Sequence, residues 1–431
     1  MSVGGYLDRA ANRLPALPSS VGEARRLVRD HLHEADRDDL TEAAELLVSE
    51  MVTNALVHAG TPIDLSLSVA ADGLLVEIGD GSPHLPTRCY YAPTAGTGRG
   101  LMLLEQLADD WGVSPQPEGK KVWFHLSNGG DNGLHGAATE PELTAASPRG
   151  GATVMVRLLN APLLLHAAWH QHAQALLREH LLVNIDEDTE HAIQVHADAN
   201  DALALLAEHI PSADISDAPG QLLAESGDKD LVEAPVIVPV PLTSVPHFRV
   251  LDEALEEATT MADAGDFLTA PTQPEIRTIR RWLVQQVEQQ GTGGQATPLP
   301  AHDEAPPPAA ASALDWDPTP VAESAEPLVA ADDTNEILAV SRPVLDLLGY
   351  DDAKELVGQR IVAIIPSRYR QAHLAGFTLH FLTGRDVLLD TTVTVPALRR
   401  DGTETEVELT IRPEPAGAGR TVFVATLNKS A

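Results

Sequence analysis

The sequence predicts a multidomain protein with an α/β two-layer sandwich, a helical bundle and an α+β domain, in that order. Helix and strand patterns alternate over residues 1–128, and helical periodicity dominates residues 152–290. Short helices and alternating strands return over residues 327–431. With 431 residues, the chain is long enough for two to four domains that each bury a core.

The first domain is predicted to place helices on one face of a mixed sheet. Gly60 ends the second helix, and Asp72-Gly73 supplies a hairpin turn between the first two strands. The expected helices are 21–34, 41–59 and 101–107, and the expected strands are 63–69, 74–78 and a hairpin over 113–126 with its turn at 117–119.

The rest of the chain divides by composition. Four helices at 158–183, 188–210, 245–270 and 274–290 predict a helical regulatory region over 152–290, with an acidic insertion at 211–241. Its function is not evident from the residues, and we expect it to relay a signal or to dimerise. The flanking segments, 129–151 and 291–326, have linker compositions, and we expect the second to be disordered.

Composition also limits the class of function. The formal charge of -34 argues against a protein that holds nucleic acid or an anionic membrane by basic patches, since both need clustered Lys and Arg. The single cysteine, Cys89, excludes an intramolecular disulfide. The N-terminus has no signal-peptide core, and no run of about 18 apolar residues occurs. We therefore expect a cytoplasmic protein without nucleic-acid or membrane partners.

The predicted helix at 41–59 carries unusual polar residues. Glu50, Asn54 and His58 follow one another at i, i+4 spacing on a half-buried face. A buried carboxylate and carboxamide are costly unless a ligand uses them. Asn54 can offer its carbonyl oxygen to magnesium, and Glu50 can accept a proton from an attacking hydroxyl. His58 is interpreted as a capping or packing residue near the C-terminal turn.

Two further segments suit a nucleotide. Asp80, at a strand end, can accept a hydrogen bond from an exocyclic amino group, and Gly81 lets a ligand approach the backbone. The GTGRG loop, Gly96 to Gly100, opens a helix and presents backbone N–H groups to phosphate, with Arg99 adding donors. Taken singly, each segment is also compatible with an ordinary turn or loop.

The order and spacing of ELLVSEMVTNALVHA, VEIGDGSP, GTGRGLMLLEQLADDWGV and GKKVWFHL resemble the GHKL ATPase/kinase superfamily. Within it, the match is to the anti-sigma-factor serine kinases of RsbW type, over residues 14–126. The resemblance implies the GHKL (Bergerat) fold over 1–128, with ATP and Mg²⁺ as ligands. It implies Glu50 as catalytic base, Asn54 as magnesium ligand, Asp80 and Gly81 as adenine contacts, and a lid over the phosphates made of Gly96, Thr97, Gly98, Arg99, Gly100 and Leu101.

Kinases of this type phosphorylate a serine on an antagonist protein, which competes with a sigma factor for the kinase. The resemblance therefore implies an anti-sigma-factor antagonist and a sigma factor as partners, with Glu50 taking the serine proton. The chain departs from its relatives at Lys121, where threonine is usual, so a hydroxyl near the adenine is expected to be missing. The alternative is a non-catalytic module that regulates by sequestering partners.

Histidines cluster in the first helix of the central region: His166, His170, His172 and His180. The first two stand one turn apart, a spacing that metal ligands use. No carboxylate or cysteine stands at ligand spacing, so we interpret them as solvated helix residues.

The last domain, over the stretches LLGYDDAKELVGQRIVAIIPSRYRQAHLAGFTLHFLTG and RRDGTETEVELTI, resembles a PAS sensor. The resemblance implies a five-stranded antiparallel sheet with helices over one face, and an unknown small ligand or protein as partner. His373 stands where haem-containing PAS sensors have an axial histidine, but Leu374 replaces the usual Asp after it. We therefore interpret His373 as an exposed or capping residue, and gas sensing through haem as the weaker alternative.

Overall fold

A computed structural model describes residues 8–70, 73–82, 100–116, 119–127, 152–211, 235–299, 314–383, 389, 391–417 and 420–430. The chain divides into two compact units. The first comprises residues 1–154, 180–206 and 239–254, and the second comprises residues 155–179, 207–238 and 255–431.

The N-terminal sheet has the strand order β1-β2-β3-β5-β4. Its strands are β1 (Asp8–Leu14), β2 (Ile63–Ala70), β3 (Gly73–Asp80), β4 (Asp110–Gln116) and β5 (Gly119–Ser127). All four neighbouring pairs are antiparallel, so the expected mixed sheet is wrong. The reason lies in the connections, because two helices between β1 and β2 bring the chain back in the opposite direction, whereas one crossover helix would make the pair parallel.

Helices α1 (Ser19–Glu34), α2 (Thr41–Ala59) and α3 (Gly100–Leu107) belong to the same domain. The structure confirms the predicted bounds of the second helix and its end at Gly60, which has a left-handed φ of 59°. Alternating residues of the strands form one core cluster with the helices, for example Leu65 and Val76 with Leu47 of α2. Burial of such aliphatic side chains, each worth about 1.5–3 kcal/mol, fixes α2 on the sheet.

The central region contains β6 (Thr153–Leu158), α4 (Leu163–Asn184), α5 (Thr189–His209), β7 (Val236–Pro241), α6 (Val245–Ala264) and α7 (Pro274–Gly291). The four expected helices are present. The two strands pair as a small sheet, which the prediction of a purely helical bundle did not include. β7 ends the segment that composition marked as an acidic insertion, because its β-branched VIV run favours a strand.

The C-terminal sheet has the strand order β10-β11-β12-β8-β9. Its strands are β8 (Leu328–Asp332), β9 (Ile337–Val340), β10 (Thr392–Leu398), β11 (Glu404–Pro415) and β12 (Thr421–Lys429), accompanied by helices α8 (Thr319–Ala322), α9 (Arg342–Leu348) and α10 (Ser367–Thr383). Each neighbouring pair is antiparallel. The predicted five-stranded antiparallel sheet is therefore confirmed.

The segment 291–326 was expected to be a disordered linker, but its two described ends, 291–299 and 314–326, make ordered contacts. Leu314, Trp316 and Val321 pack on the apolar residues of the C-terminal sheet. At the other end, the Trp282 indole N–H donates to the Thr297 carbonyl oxygen at 3.0 Å. A few large apolar side chains anchor stretches whose average composition is that of a linker. Residues 300–313 lie outside the described residues.

Candidate functional site

Helix α2 carries Glu50 and Asn54 as half-buried residues one turn apart. Among the described residues, neither side chain has a hydrogen-bond or ion-pair partner. The buried face of the same helix, with Leu47, Met51 and Ala55, holds it against the core. The helix thus presents on a fixed backbone a carboxylate and a carboxamide that contact no polar group of the described residues, which suits a bound ligand. His58 is exposed on the last turn.

Asp80 ends β3, and Gly81 follows it. The Gly81 N–H donates to Thr61 Oγ1 at 2.8 Å, and a Cβ at position 81 would stand 2.8 Å from Thr61 Cγ2. Gly81 is therefore required for close packing on Thr61, whatever it does for a ligand. Thr61 was not foreseen from the sequence, because its role depends on where the chain after α2 meets the end of β3.

The Asp80 carboxylate lies in a buried ion pair that the sequence did not predict. Lys120 Nζ donates to Asp80 Oδ1 at 3.0 Å, with the two side chains 7% and 2% exposed. The Ser82 N–H donates to the same oxygen at 2.8 Å. Burial raises the pKa of the Asp80 carboxyl, and the Lys120 ammonium acts against that rise.

Lys121, which stands where the relatives usually carry threonine, faces away from this pair. Register pairs Asp80 with Lys120 and Gly79 with Lys121, and side chains alternate between the faces of a sheet. Lys121 Nζ donates to Glu77 Oε1 at 3.2 Å on the other face. The expectation that Lys121 replaces a hydroxyl near the adenine is therefore wrong. The residue beside Asp80 is Lys120.

Of the predicted lid, Gly96, Thr97, Gly98 and Arg99 lie outside the described residues. Gly100 is the first residue of α3 and Leu101 is the second. Helix α2 contacts both β3 and α3, so the three elements that carry or adjoin the predicted site residues are neighbours. The contacts of the lid with phosphate stay a prediction.

Three of the four α4 histidines are buried and His170 is half-buried, so their interpretation as solvated residues is wrong. His166, His172 and His180 are 6%, 3% and 8% exposed. Burial lowers the pKa of His166 to about 3 and that of His172 to about 4, which keeps both neutral at pH 7. The His172 Nε2 atom lies 2.8 Å from the Ala270 carbonyl oxygen. No group of three potential metal-ligating side chains occurs among the residues that the structure describes.

A second buried polar cluster joins the start of α7 to the C-terminal domain. Arg360 Nε and Nη2 donate to the two carboxylate oxygens of Glu275 at 3.0 and 2.7 Å. Gln273 Oε1 accepts from Arg360 at 2.7 Å and from Asn335 at 3.2 Å. His373 Nε2 lies 3.2 Å from Asn335 Oδ1.

This cluster corrects the interpretation of His373 as exposed or capping. The ring is partly buried and hydrogen-bonded, and desolvation lowers its pKa to about 4. Its Nε2 atom is hydrogen-bonded to the Asn335 amide oxygen, so this nitrogen is not free to coordinate a haem iron. The cluster depends on contacts between residues 38 to 87 positions apart, so no local sequence signal marks it.

In the described part of the chain, no helix combines the length and the hydropathy of a membrane-spanning segment.

Several known proteins are similar to parts of this chain. A protein of Azorhizobium caulinodans is 30% identical over 102 residues, which cover 24% of this chain and 14% of that protein. The PAS domain of an HTR-like protein from Haloarcula marismortui is 22% identical, covering 26% of this chain and 87% of that one, with a TM-score of 0.20. A LOV protein of Rhodobacter sphaeroides is 15% identical, covering 26% of this chain and 65% of that one, with a TM-score of 0.23.

TM-scores of this size do not establish a shared fold, so the PAS interpretation of the C-terminal domain depends on its own strand arrangement. The chain spans only about one seventh of the Azorhizobium caulinodans protein, at 14%. Residues 14–126 match the family model of the histidine kinase-like ATPase domain, the segment in which the sequence motifs predicted it.

Proposed function

We propose that residues 14–126 bind ATP with Mg²⁺ and transfer a phosphoryl group to a serine of an anti-sigma-factor antagonist. The observation that carries the proposal is the pair of side chains on α2. Glu50 and Asn54 lie one turn apart, half-buried and without partners among the described residues. Such a pair, fixed one turn apart on a helix that is packed against the core, is suited to a ligand.

Each residue has a defined part in this proposal. The Asn54 carbonyl oxygen would hold Mg²⁺, which when bound neutralises phosphate charge. Glu50 takes the proton of the attacking serine hydroxyl, which makes the oxygen a better nucleophile. Asp80 and Gly81 contact the adenine, and the loop from Gly96 to Leu101 covers the phosphates. Catalysis then depends on positioning and electrostatics.

The proposal assigns partners to the rest of the chain. The antagonist and a sigma factor compete for the N-terminal domain. The C-terminal domain responds to a small ligand or a protein, and the central region relays that response, with homodimerisation as one route. The buried link between Arg360 and Glu275 supports such a relay, because it ties the start of α7 to the C-terminal domain.

Incubation with labelled ATP and candidate antagonists tests the proposal. Wild type should label a serine of its antagonist, and Glu50→Ala should not. Glu42→Ala is the matched control, because Glu42 is an exposed acid on the first turn of the same helix. Transfer that survives Glu50→Ala would contradict the proposed base.

A second candidate is the non-catalytic module that binds ATP or partners without phosphoryl transfer. The Asp80–Lys120 ion pair favours it if Lys120 blocks the place of the adenine, in which case the domain regulates by binding partners alone. In this case wild type captures a sigma factor or an antagonist, no antagonist is labelled, and Glu50→Ala captures its partner as well as wild type does.

A further inference from the structure

Lys120 and Asp80 stand opposite each other across β3 and β5. Both belong to the alternating buried positions of their strands, in line with Ile78 on β3 and Val122 on β5. The pair therefore lies at the end of the core-facing side of the sheet.

The close approach of β5 to the end of β3 fixes this geometry. A Cβ at Gly119 would stand 1.8 Å from the Asp80 carbonyl oxygen, a distance that no side chain tolerates. The backbone at Gly119 thus passes directly over Asp80, and Lys120 follows with little freedom to shift along the strand. Its ammonium is brought to the carboxylate by the backbone rather than by a flexible surface side chain.

The two carboxylate oxygens of Asp80 are not equivalent. Oδ1 accepts from both Lys120 Nζ and the Ser82 N–H. Among the described residues, no donor reaches Oδ2. A carboxylate held in this way is oriented by two donors and has one acceptor oxygen left over, and its cation opposes the effect of burial on its charge.

We infer that Lys120 is a positioning residue for base recognition, holding Asp80 so that Oδ2 accepts a hydrogen bond from an exocyclic amino group. This inference rests on the proposed nucleotide binding. Such a contact makes the site selective for a 6-amino purine. A 6-oxo purine such as hypoxanthine presents a carbonyl oxygen to Oδ2, so two hydrogen-bond acceptors face each other with no donor between them.

The charged groups around Asp80 determine how the Asp80 carboxyl would respond to the loss of the Lys120 ammonium. Among the described residues, the charged group that contacts the Asp80 carboxylate is the Lys120 ammonium of β5. Asp64 of β2 and Glu77 of β3 occupy alternate positions and face the other side of the sheet. Helix α2, which packs against β3, adds Glu50 and His58 as the titratable groups of its last three turns. Without Lys120, burial leaves the Asp80 carboxyl with a greater tendency to take up a proton.

Calorimetric titration with ATP and ITP tests the inference on the full chain. Wild type should bind ATP about tenfold or more tightly than ITP. Lys120→Met should lower ATP affinity by about tenfold or more and bring the ATP to ITP ratio close to one, because a protonated Asp80 donates as well as accepts. Lys121→Met is the matched control on the opposite face, and it should behave as wild type does.

A pH series separates positioning from a merely structural role. Lys120→Gln keeps a hydrogen-bond donor without the charge, so it is expected to fold if the Met variant does not. Its ATP affinity should rise with pH as Asp80 loses its proton, while that of wild type should change less. The inference is overturned if either variant keeps the ATP preference at all pH values, or binds ATP more tightly, as expected if Lys120 blocks the site. Wild type that binds neither nucleotide overturns the proposed function as well.

Discussion

Replacing Gly60 by alanine should destabilise the N-terminal domain for two separable reasons. The residue has φ of 59°, and a non-glycine residue in the left-handed region costs about 1–2 kcal/mol. A Cβ at this position would also stand 2.7 Å from the Cβ of Ala197 on α5, closer than the carbon–carbon optimum of about 3.5–4.0 Å. Overpacking of this kind costs about 1–3 kcal/mol, so we expect a loss of about 2–5 kcal/mol.

The variant Ala197→Gly isolates the second contribution. Alone, it should cost about 1 kcal/mol, the difference in helix propensity between alanine and glycine. In the double variant the methyl contact is gone while the left-handed backbone stays, so the expected loss is about 2–3 kcal/mol. The sum of the single losses is about 3–6 kcal/mol, which leaves a favourable coupling of about 1–3 kcal/mol.

Hydrogen exchange at the amides of residues 41–59 reports this locally, which suits a chain that divides into two compact units. Gly60→Ala should speed exchange in α2, and adding Ala197→Gly should slow it again. Exchange that is unchanged in Gly60→Ala, or losses that simply add in the double variant, would refute the packing of α5 on the end of α2.

Two further perturbations test the second unit. Arg360→Met should lower its stability by about 3–5 kcal/mol, because Glu275 is left buried without its partner, and the double variant Arg360→Met/Glu275→Leu should recover much of that loss in thermal unfolding; an equal loss in both would contradict the pairing. His166 and His172 have folded pKa values of about 3 and about 4, below the unfolded value of about 6.5. Only the unfolded chain takes up these protons as the pH falls from 6.5 to 4, so stability should be complete above pH 6.5 and fall by about 1.4 kcal/mol per pH unit per histidine below it. Urea unfolding midpoints that stay level between pH 7 and 5 would count against this burial.

Local features of the fold followed from the sequence. Helix α2 has its predicted bounds, because apolar periodicity and a C-terminal glycine are both encoded within about 20 residues. Strand β1 was missed because DRAANRL offers little alternation, and its place depends on hydrogen bonding to β2 more than 50 residues away. Strand direction in the sheet is likewise set by connections rather than by any one segment.

The candidate site shows the same division. Glu50 and Asn54 were predictable because one helix carries both at fixed spacing. The partner of Asp80 was not, because a shift of one residue in register moves a side chain to the other face, and this separates Lys120 from Lys121. The burial of the α4 histidines and the cluster around Arg360 depend on tertiary contacts, for which composition has no signal.

Titration of Mg²⁺ and ATP into wild type and Asn54→Ala bears most directly on the proposal that α2 holds a magnesium nucleotide. We expect wild type to bind ATP in a magnesium-dependent manner, and Asn54→Ala to lose about tenfold or more in affinity, because losing even a residue that only supports a metal ligand typically costs about tenfold or more. Glu42→Ala should bind as wild type does. Binding of ATP by Asn54→Ala with unchanged affinity and unchanged magnesium dependence, or no binding by wild type, would contradict the proposal.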